Sequence, residues 1–159
     1  MADTASDDLR KALTMRARAY AHMFDVLREE FGPERAMELG REITRRLGVQ
    51  MGQAFKDLQP DDLAGLKDRF LDGIPEREAM FAPEVERCDD RSLQIYFHRC
   101  PLKQAWQEMG RDGEELALLC QMAGAIDQGL FTTAGFTFAS TTWRPGESGC
   151  CRLMITPGT

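Results

Sequence analysis

Apolar positions recur every three or four residues through the front of the chain and every second residue in two later stretches, and this change of period organises it. Between 7 and 31, Leu9, Leu13, Ala17, Tyr20, Phe24, Leu27 and Phe31 form the stripe of an amphipathic helix whose inner face is core. Gly32-Pro33 interrupts that helix, and Ala36, Leu39, Ile43, Leu47, Met51, Ala54 and Leu58 repeat the spacing. Two long helices joined by so short a turn are expected to pack as an antiparallel hairpin. A third helix begins near Pro60-Asp61-Asp62, where acidic residues suit the positive end of the helix dipole, and runs through Leu63, Leu66, Phe70 and Leu71 to Gly73.

From residue 83 the period falls to two. Pro83 to Cys88 and Leu93 to Cys100 alternate around Asp89-Asp90-Arg91, which reads as two strands and a tight turn. Leu93, Ile95 and Phe97 share one face of the second strand, and Gln94, Tyr96, His98 and Cys100 the other. A helix from Pro101 to Met109 ends at Gly110, and another runs from about Asp112 to Gln128, with Leu116, Cys120, Ala123 and Asp127 on one stripe. Phe136 to Arg144 alternates, Pro145-Gly146-Glu147-Ser148-Gly149 turns, and Cys150 to Ile155 returns. The expected class is α+β: an N-terminal helical hairpin followed by a β-β-α-α-β-β unit, with an antiparallel sheet backed by helices. One domain of residues 1–159 is expected, made of a polar, disordered lead-in over 1–6, a helical half over 7–74 and an α+β half over 83–156.

Length and composition narrow the class further. A chain of 159 residues can bury roughly two thirds of the surface its unfolded form exposes. A formal charge of −6 argues against nucleic acid, whose binding rests on clustered Lys and Arg, and Arg41, Arg45 and Arg46 read as a solvated helix face. No signal peptide opens the chain and no apolar run approaches the roughly 18 residues of a membrane span, so neither nucleic acid nor membrane is expected as a partner and the expected compartment is the cytoplasm. Five cysteines, none spaced Cys-x-x-Cys, point to free thiols over a disulfide framework or a structural zinc site. No cofactor is called for. The long front helices could support a homodimer, although stripes buried within one subunit explain them equally.

The chemistry concentrates at Tyr96-Phe97-His98-Arg99-Cys100-Pro101, where a strand hands over to a helix begun by proline. Cys100 is the expected N-cap, where unpaired backbone amides and the helix dipole favour thiolate over thiol; the other reading is a small buried residue at a strand end. If the second helix of the α+β half crosses the sheet, Cys100, Cys120, Asp127 and Cys150 or Cys151 converge. They would then supply a nucleophile and a carboxylate able to act as base or to bind a cationic amidine at two points. His98 could assist Cys100 from the same strand face. Three cysteines with an aspartate or histidine are also a donor set for zinc or iron, and each cysteine alone is explained by core packing. Asp127 is harder to dismiss, since a carboxylate on a small, apolar stripe is costly unless paired or functional. Ser140, Thr141 and Thr142 could line a cavity as hydrogen-bond donors. Trp106 and Trp143 read as core or pocket-wall aromatics, and His22 is assigned no role.

Arg99-Cys100-Pro101-Leu102, then Leu119-Cys120 with Asp127 seven residues on, then Thr142, Gly146 and the closing Cys151 to Ile155 together resemble the L-2-amino-thiazoline-4-carboxylic acid hydrolase family over residues 83–156. The resemblance implies an enzyme that opens a five-membered cyclic isothiourea to an N-carbamoyl cysteine, with a small molecule as its partner. Carried over residue by residue, the matching positions are Cys100, Cys120, Asp127 and the cysteine of the last strand. The expected roles are catalytic for Cys100, Cys120 and Asp127, with Cys100 as nucleophile or as the thiol that assists water and Asp127 as base, and substrate-binding for His98, Arg99, Thr142, Cys150 and Cys151. Because the cysteine of the last strand is doubled, counting from Gly146 selects Cys150 and counting back from Ile155 selects Cys151. The reading of another class is a binding or sensor module for a small molecule or metal, with the cysteines as ligands.

Overall fold

The computed structural model describes residues 2–159. Helix α1 (Ala2–Phe31) and helix α2 (Pro33–Gly52) form the expected hairpin about Gly32, whose φ of 82° lies in the left-handed region that glycine tolerates. The chain then passes through a short 3₁₀ turn, Gln53–Phe55, to α3 (Leu63–Asp72), capped by the Asp62 carboxylate accepting from the Gly65 amide at 2.8 Å. A one-turn helix α4 (Arg77–Met80) leads into strands β1 (Pro83–Cys88) and β2 (Leu93–Phe97). Helices α5 (Pro101–Glu108) and α6 (Gly113–Thr133) follow, and β3 (Thr137–Thr141) and β4 (Arg152–Thr156) close the chain. The four strands form one antiparallel sheet in the order β1-β2-β4-β3, so the two hairpins meet along β2 and β4 with Ile95 opposite Leu153.

The α+β class and the β-β-α-α-β-β order are as expected. Two details differ. Of the expected lead-in 1–6, Met1 lies outside the described residues, and α1 already runs from Ala2. The second difference concerns the stripe of α2. Ala36, Gly40, Thr44, Gly48 and Gly52 are its buried residues, whereas Ile43, Leu47 and Met51 are 42%, 36% and 45% exposed. Glycines let backbones approach more closely than any side chain allows: a β-carbon on Gly48 would collide with the Ile126 carbonyl of α6, and one on Gly129 with the Arg45 carbonyl of α2. The Thr44 hydroxyl donates to the Met122 carbonyl at 2.6 Å across this seam. Close backbone packing, rather than interdigitated large side chains, therefore joins α2 to α6.

That contact fixes what α6 offers elsewhere. One side of α6 is committed to α2, leaving Cys120, Ala123 and Asp127 turned toward α1 and the sheet. Two buried clusters result. One joins α1, α5 and α6 around Trp106, whose indole N–H donates to the Ala17 carbonyl at 2.7 Å; the other joins α3, the end of α6 and the sheet around Phe131, Leu93 and Ile155. Cys100 packs against both clusters. The space left between them is the cavity described next. Among the described residues, no helix is long and apolar enough to cross a membrane.

Candidate functional site

A cavity of about 190 Å³ lies between α1, α6 and the sheet. Its wall is mostly hydrocarbon: Leu13, Phe70, Ile74, Phe81, Phe97 and Leu153 are among its lining residues, with Leu102 and Trp106 of α5. Against that wall stand Cys100, Cys120, Cys150, Cys151 and Asp127, together with Arg16, Arg99, Ser140 and Thr142. Convergence required α6 to cross the sheet, and the glycine seam with α2 holds it there. Gly124, between Cys120 and Asp127 on the cavity side, keeps the room: a β-carbon there would stand 3.0 Å from the Thr142 methyl.

Cys100 is the N-cap residue of α5, with extended backbone (φ −146°, ψ 117°) and Pro101 in the first turn, as expected. Its chemistry is not as expected. The sulfur completes no capping hydrogen bond. Its hydrogen bond with the Cys150 thiol, and then burial, hold its pKa well above the ordinary 9.0, and the Lys103 and Leu102 amides offset only part of this. The helix terminus does favour a thiolate here; a neighbouring thiol and a low-dielectric surrounding outweigh it. The other thiols follow suit. Burial, then the proximity of Cys100, pushes Cys120 up to about 12. At Cys150 the bond from Cys100 pulls down, while Cys151 and burial push up by more. Cys100, Cys120 and Cys150 are therefore neutral at rest.

Asp127 is the residue poised near neutrality. No side chain among the described residues donates a hydrogen bond to it or pairs with it as an ion. Burial raises its carboxyl to about 7, and the charge of Arg16 offsets only part of the rise. At neutral pH it is thus a partly ionised acid, able to take a proton from a ligand or to give one.

The remaining candidates divide. Arg99 and Thr142 line the cavity, as does Ser140. Both Cys150 and Cys151 line it too, so the doubling places two thiols at one wall and geometry does not choose between them. Thr141, on exposed β3, is not part of the lining. His98 is a correction: it lies beyond the end of β2 with its ring on the solvent side, Nε2 2.6 Å from the Glu84 carboxylate and the ring edge-on to Tyr96, and it does not line the cavity. Strand alternation lapses after Phe97, so a face shared by His98 and Cys100 does not follow. Among the described residues no group of three or more His, Cys, Asp or Glu is arranged to hold a metal ion.

Sequence reasoning missed Arg16 and the hydrocarbon brought in by the front helices. A signal was present: Arg16 falls three residues after Leu13 and four before Tyr20, which sets a guanidinium on the apolar face of α1.

Comparison with known proteins bears on this site. The family model described as L-2-amino-thiazoline-4-carboxylic acid hydrolase matches residues 13–154, which adds nearly all the helical front to the stretch that carried the resemblance. Among solved structures, the crystal structure of the phenol-responsive sensory domain of the transcription activator PoxR with phenol is similar, with a TM-score of 0.56 and 14% identity over 89% of this chain and 74% of that one. A likeness at that identity concerns the fold alone. No curated protein matches the chain.

Proposed function

We propose that this chain, which belongs to the L-2-amino-thiazoline-4-carboxylic acid hydrolase family, takes a small ring bearing a cationic amidine or isothiourea into the cavity and opens it by hydrolysis. The observation that carries the reading is the unpaired carboxylate of Asp127, held at about 7 in a hydrocarbon-walled cavity. An amidinium presents two parallel N–H groups to a carboxylate, and the low dielectric strengthens that contact.

Of the two roles open to Cys100, the neutral thiols favour the one in which it assists water. For Cys100 to attack, its proton would have to pass from a group above 9.0 to one at about 7, uphill by at least ~3 kcal/mol before any bond forms. Water as nucleophile avoids that cost. Asp127 accepts a proton from water as its oxygen bonds to the amidine carbon. It passes that proton to the ring sulfur as the C–S bond breaks, and takes the hydroxyl proton of the intermediate as the carbonyl forms. The products are a urea and a free thiol, and Asp127 ends protonated, from where its pKa lets it return the proton to solvent. Cys100 positions the water, while Cys120, Cys150 and Cys151 form a soft wall around the departing sulfur and Thr142 hydrogen-bonds the ring.

The test is incubation with 2-amino-thiazoline-4-carboxylate, with release of free thiol as the readout. Wild type should open the ring, Asp127→Asn should abolish opening, and Cys100→Ser, which keeps a hydrogen-bonding group, should retain measurable turnover. Loss of all turnover in Cys100→Ser together with trapping of a covalent adduct on the wild-type sulfur would instead restore Cys100 as nucleophile. A second reading, a small-molecule sensor, is favoured by the neutral thiols and the hydrocarbon wall and fits the fold of the PoxR sensory domain. It predicts that rings bind, raising the thermal midpoint, with no thiol released.

A further inference from the structure

We infer that Arg16 is the anion-binding residue of this cavity, so that the ligand it selects is a small zwitterion: a planar cation held at Asp127 and a carboxylate held at Arg16. The inference rests on the hydrolase reading above and deepens it by assigning the second pole of the substrate.

Arg16 is half-buried on α1 and lines the cavity. Its guanidinium is already oriented. Nε donates to the Tyr20 hydroxyl at 3.0 Å, and Cζ stands 5.2 Å from the Tyr20 ring centroid. With Nε committed, the two terminal nitrogens remain for a ligand, and a guanidinium fork matches a carboxylate with two parallel bonds. Most other arginines of comparable burial are taken by carboxylates: Arg28 and Arg111 pair with Asp25 and Glu115, Arg45 with Glu42, Arg77 with Asp72 and Glu78, and Arg152 with Glu86, while Arg41 donates to the Gln121 carbonyl away from this cavity. Arg16 has no carboxylate partner among the described residues, although Asp127 shares its cavity. Two opposite charges that line one low-dielectric space without meeting leave room between them for a molecule carrying the complement of each. The volume of 190 Å³ lies below the roughly 300–1,000 Å³ of drug-sized pockets, so that molecule is small. Arg99 also lines the cavity, but it is exposed and its Nη1 donates to the Ala79 carbonyl at 3.4 Å, which makes it the rival candidate for the anion that the experiment has to separate from Arg16.

The experiment compares two rings, 2-amino-2-thiazoline-4-carboxylate and 2-amino-2-thiazoline without the carboxylate, on the full chain as wild type, Arg16→Gln, Arg16→Lys and Arg99→Gln. Thiol release gives kcat and KM for each ring, and calorimetry gives Kd. Wild type should prefer the carboxylate ring. Arg16→Gln should raise KM for that ring about 10- to 100-fold, the range expected for losing hydrogen bonds to a charged partner, and leave the plain ring within about twofold. Arg16→Lys should recover part of the loss. Equal losses on both rings would make Arg16 structural and overturn the inference, as would a selective loss in Arg99→Gln in its place or the absence of any wild-type preference. If wild type binds both rings and opens neither, the hydrolase reading falls while the ratio of Kd values still decides the role of Arg16. If it binds neither, both fall.

Discussion

Replacing Asp127 by asparagine should stabilise the protein at neutral pH, and by an amount that depends on pH in a specified way. The carboxyl is raised from 3.8 to about 7 by burial. A raised pKa means the folded chain binds this proton more tightly than the unfolded chain does. Below about pH 3, both states are largely protonated and the residue contributes nothing. As pH rises from about 4 to about 7, the unfolded chain has released its proton while the folded chain still holds one, so stability falls across that window and levels off above it. A rise from 3.8 to about 7 corresponds to about 4 kcal/mol at most. Solvent in the cavity reduces this, and 2–4 kcal/mol is a realistic range.

Asparagine keeps the shape and never ionises. Over the range tested, the gain of Asp127→Asn over wild type should therefore be smallest at pH 4.5, about a quarter of its full size, and greatest at pH 8, where thermal midpoints should differ by roughly 5–15 °C for a chain of this size. Thermal and urea melts of both proteins at pH 4.5, 6, 7 and 8 measure it. A difference that stays flat across that range would mean the carboxylate is not desolvated and would remove the ground for its role as base. The same linkage has a ligand side. A bound amidinium favours the charged carboxylate, so at pH 6 binding should expel close to one proton, and at pH 8.5 none. Calorimetry in two buffers of different ionisation enthalpy counts it.

Three further outcomes follow from particular contacts. Exposed Cys88 should be alkylated by iodoacetamide at pH 7.5 well before Cys100, Cys120 or Cys150, whose thiols are held neutral; peptide mass spectrometry over time ranks them, and a fast Cys100 would restore the thiolate. Gly48→Ala should cost about 2 kcal/mol or more in urea unfolding, despite alanine's better helix propensity, because its methyl meets the Ile126 carbonyl; a stabilised variant would show that α2 and α6 do not touch as described. His98→Ala should leave turnover within about twofold and the thermal midpoint within about 2 °C, since an exposed pair with Glu84 contributes little, and a large loss of kcat would bring His98 back into the site.

Much of the fold was legible because period is a property of the backbone. Alternation marked β1 over Pro83–Cys88 to the residue, and Pro101 and Gly110 bracketed α5 closely. The failure on α2 is instructive. Reading Ile43, Leu47 and Met51 as the inner stripe applies the rule that large apolar residues go inside, and that rule yields where glycine permits backbone contact. Gly40, Gly48 and Gly52 recur at multiples of four with Thr44 between them, a pattern visible in the sequence yet ambiguous until a partner helix supplies a matching Gly129.

The candidate site divides along the same line. Residues whose placement depends on one element, Cys100 at its cap and Cys120 with Asp127 seven positions apart on one helix, were legible. Protonation was not, because it depends on what other elements bring within a few ångströms. A lone thiol at the start of a helix is pushed toward the anion, but Cys150 arrives from the opposite end of the chain and reverses the balance. Arg16 escaped for the same reason, since on α1 it is one more cation and only the fold brings it to the cavity that Asp127 lines. The group tuned near neutrality is therefore the one whose cost in stability is largest. A carboxylate that destabilises its own fold above pH 4 persists most simply because a ligand cation offsets that cost, and so the stability profile and the proton count on binding test the same arrangement from opposite sides.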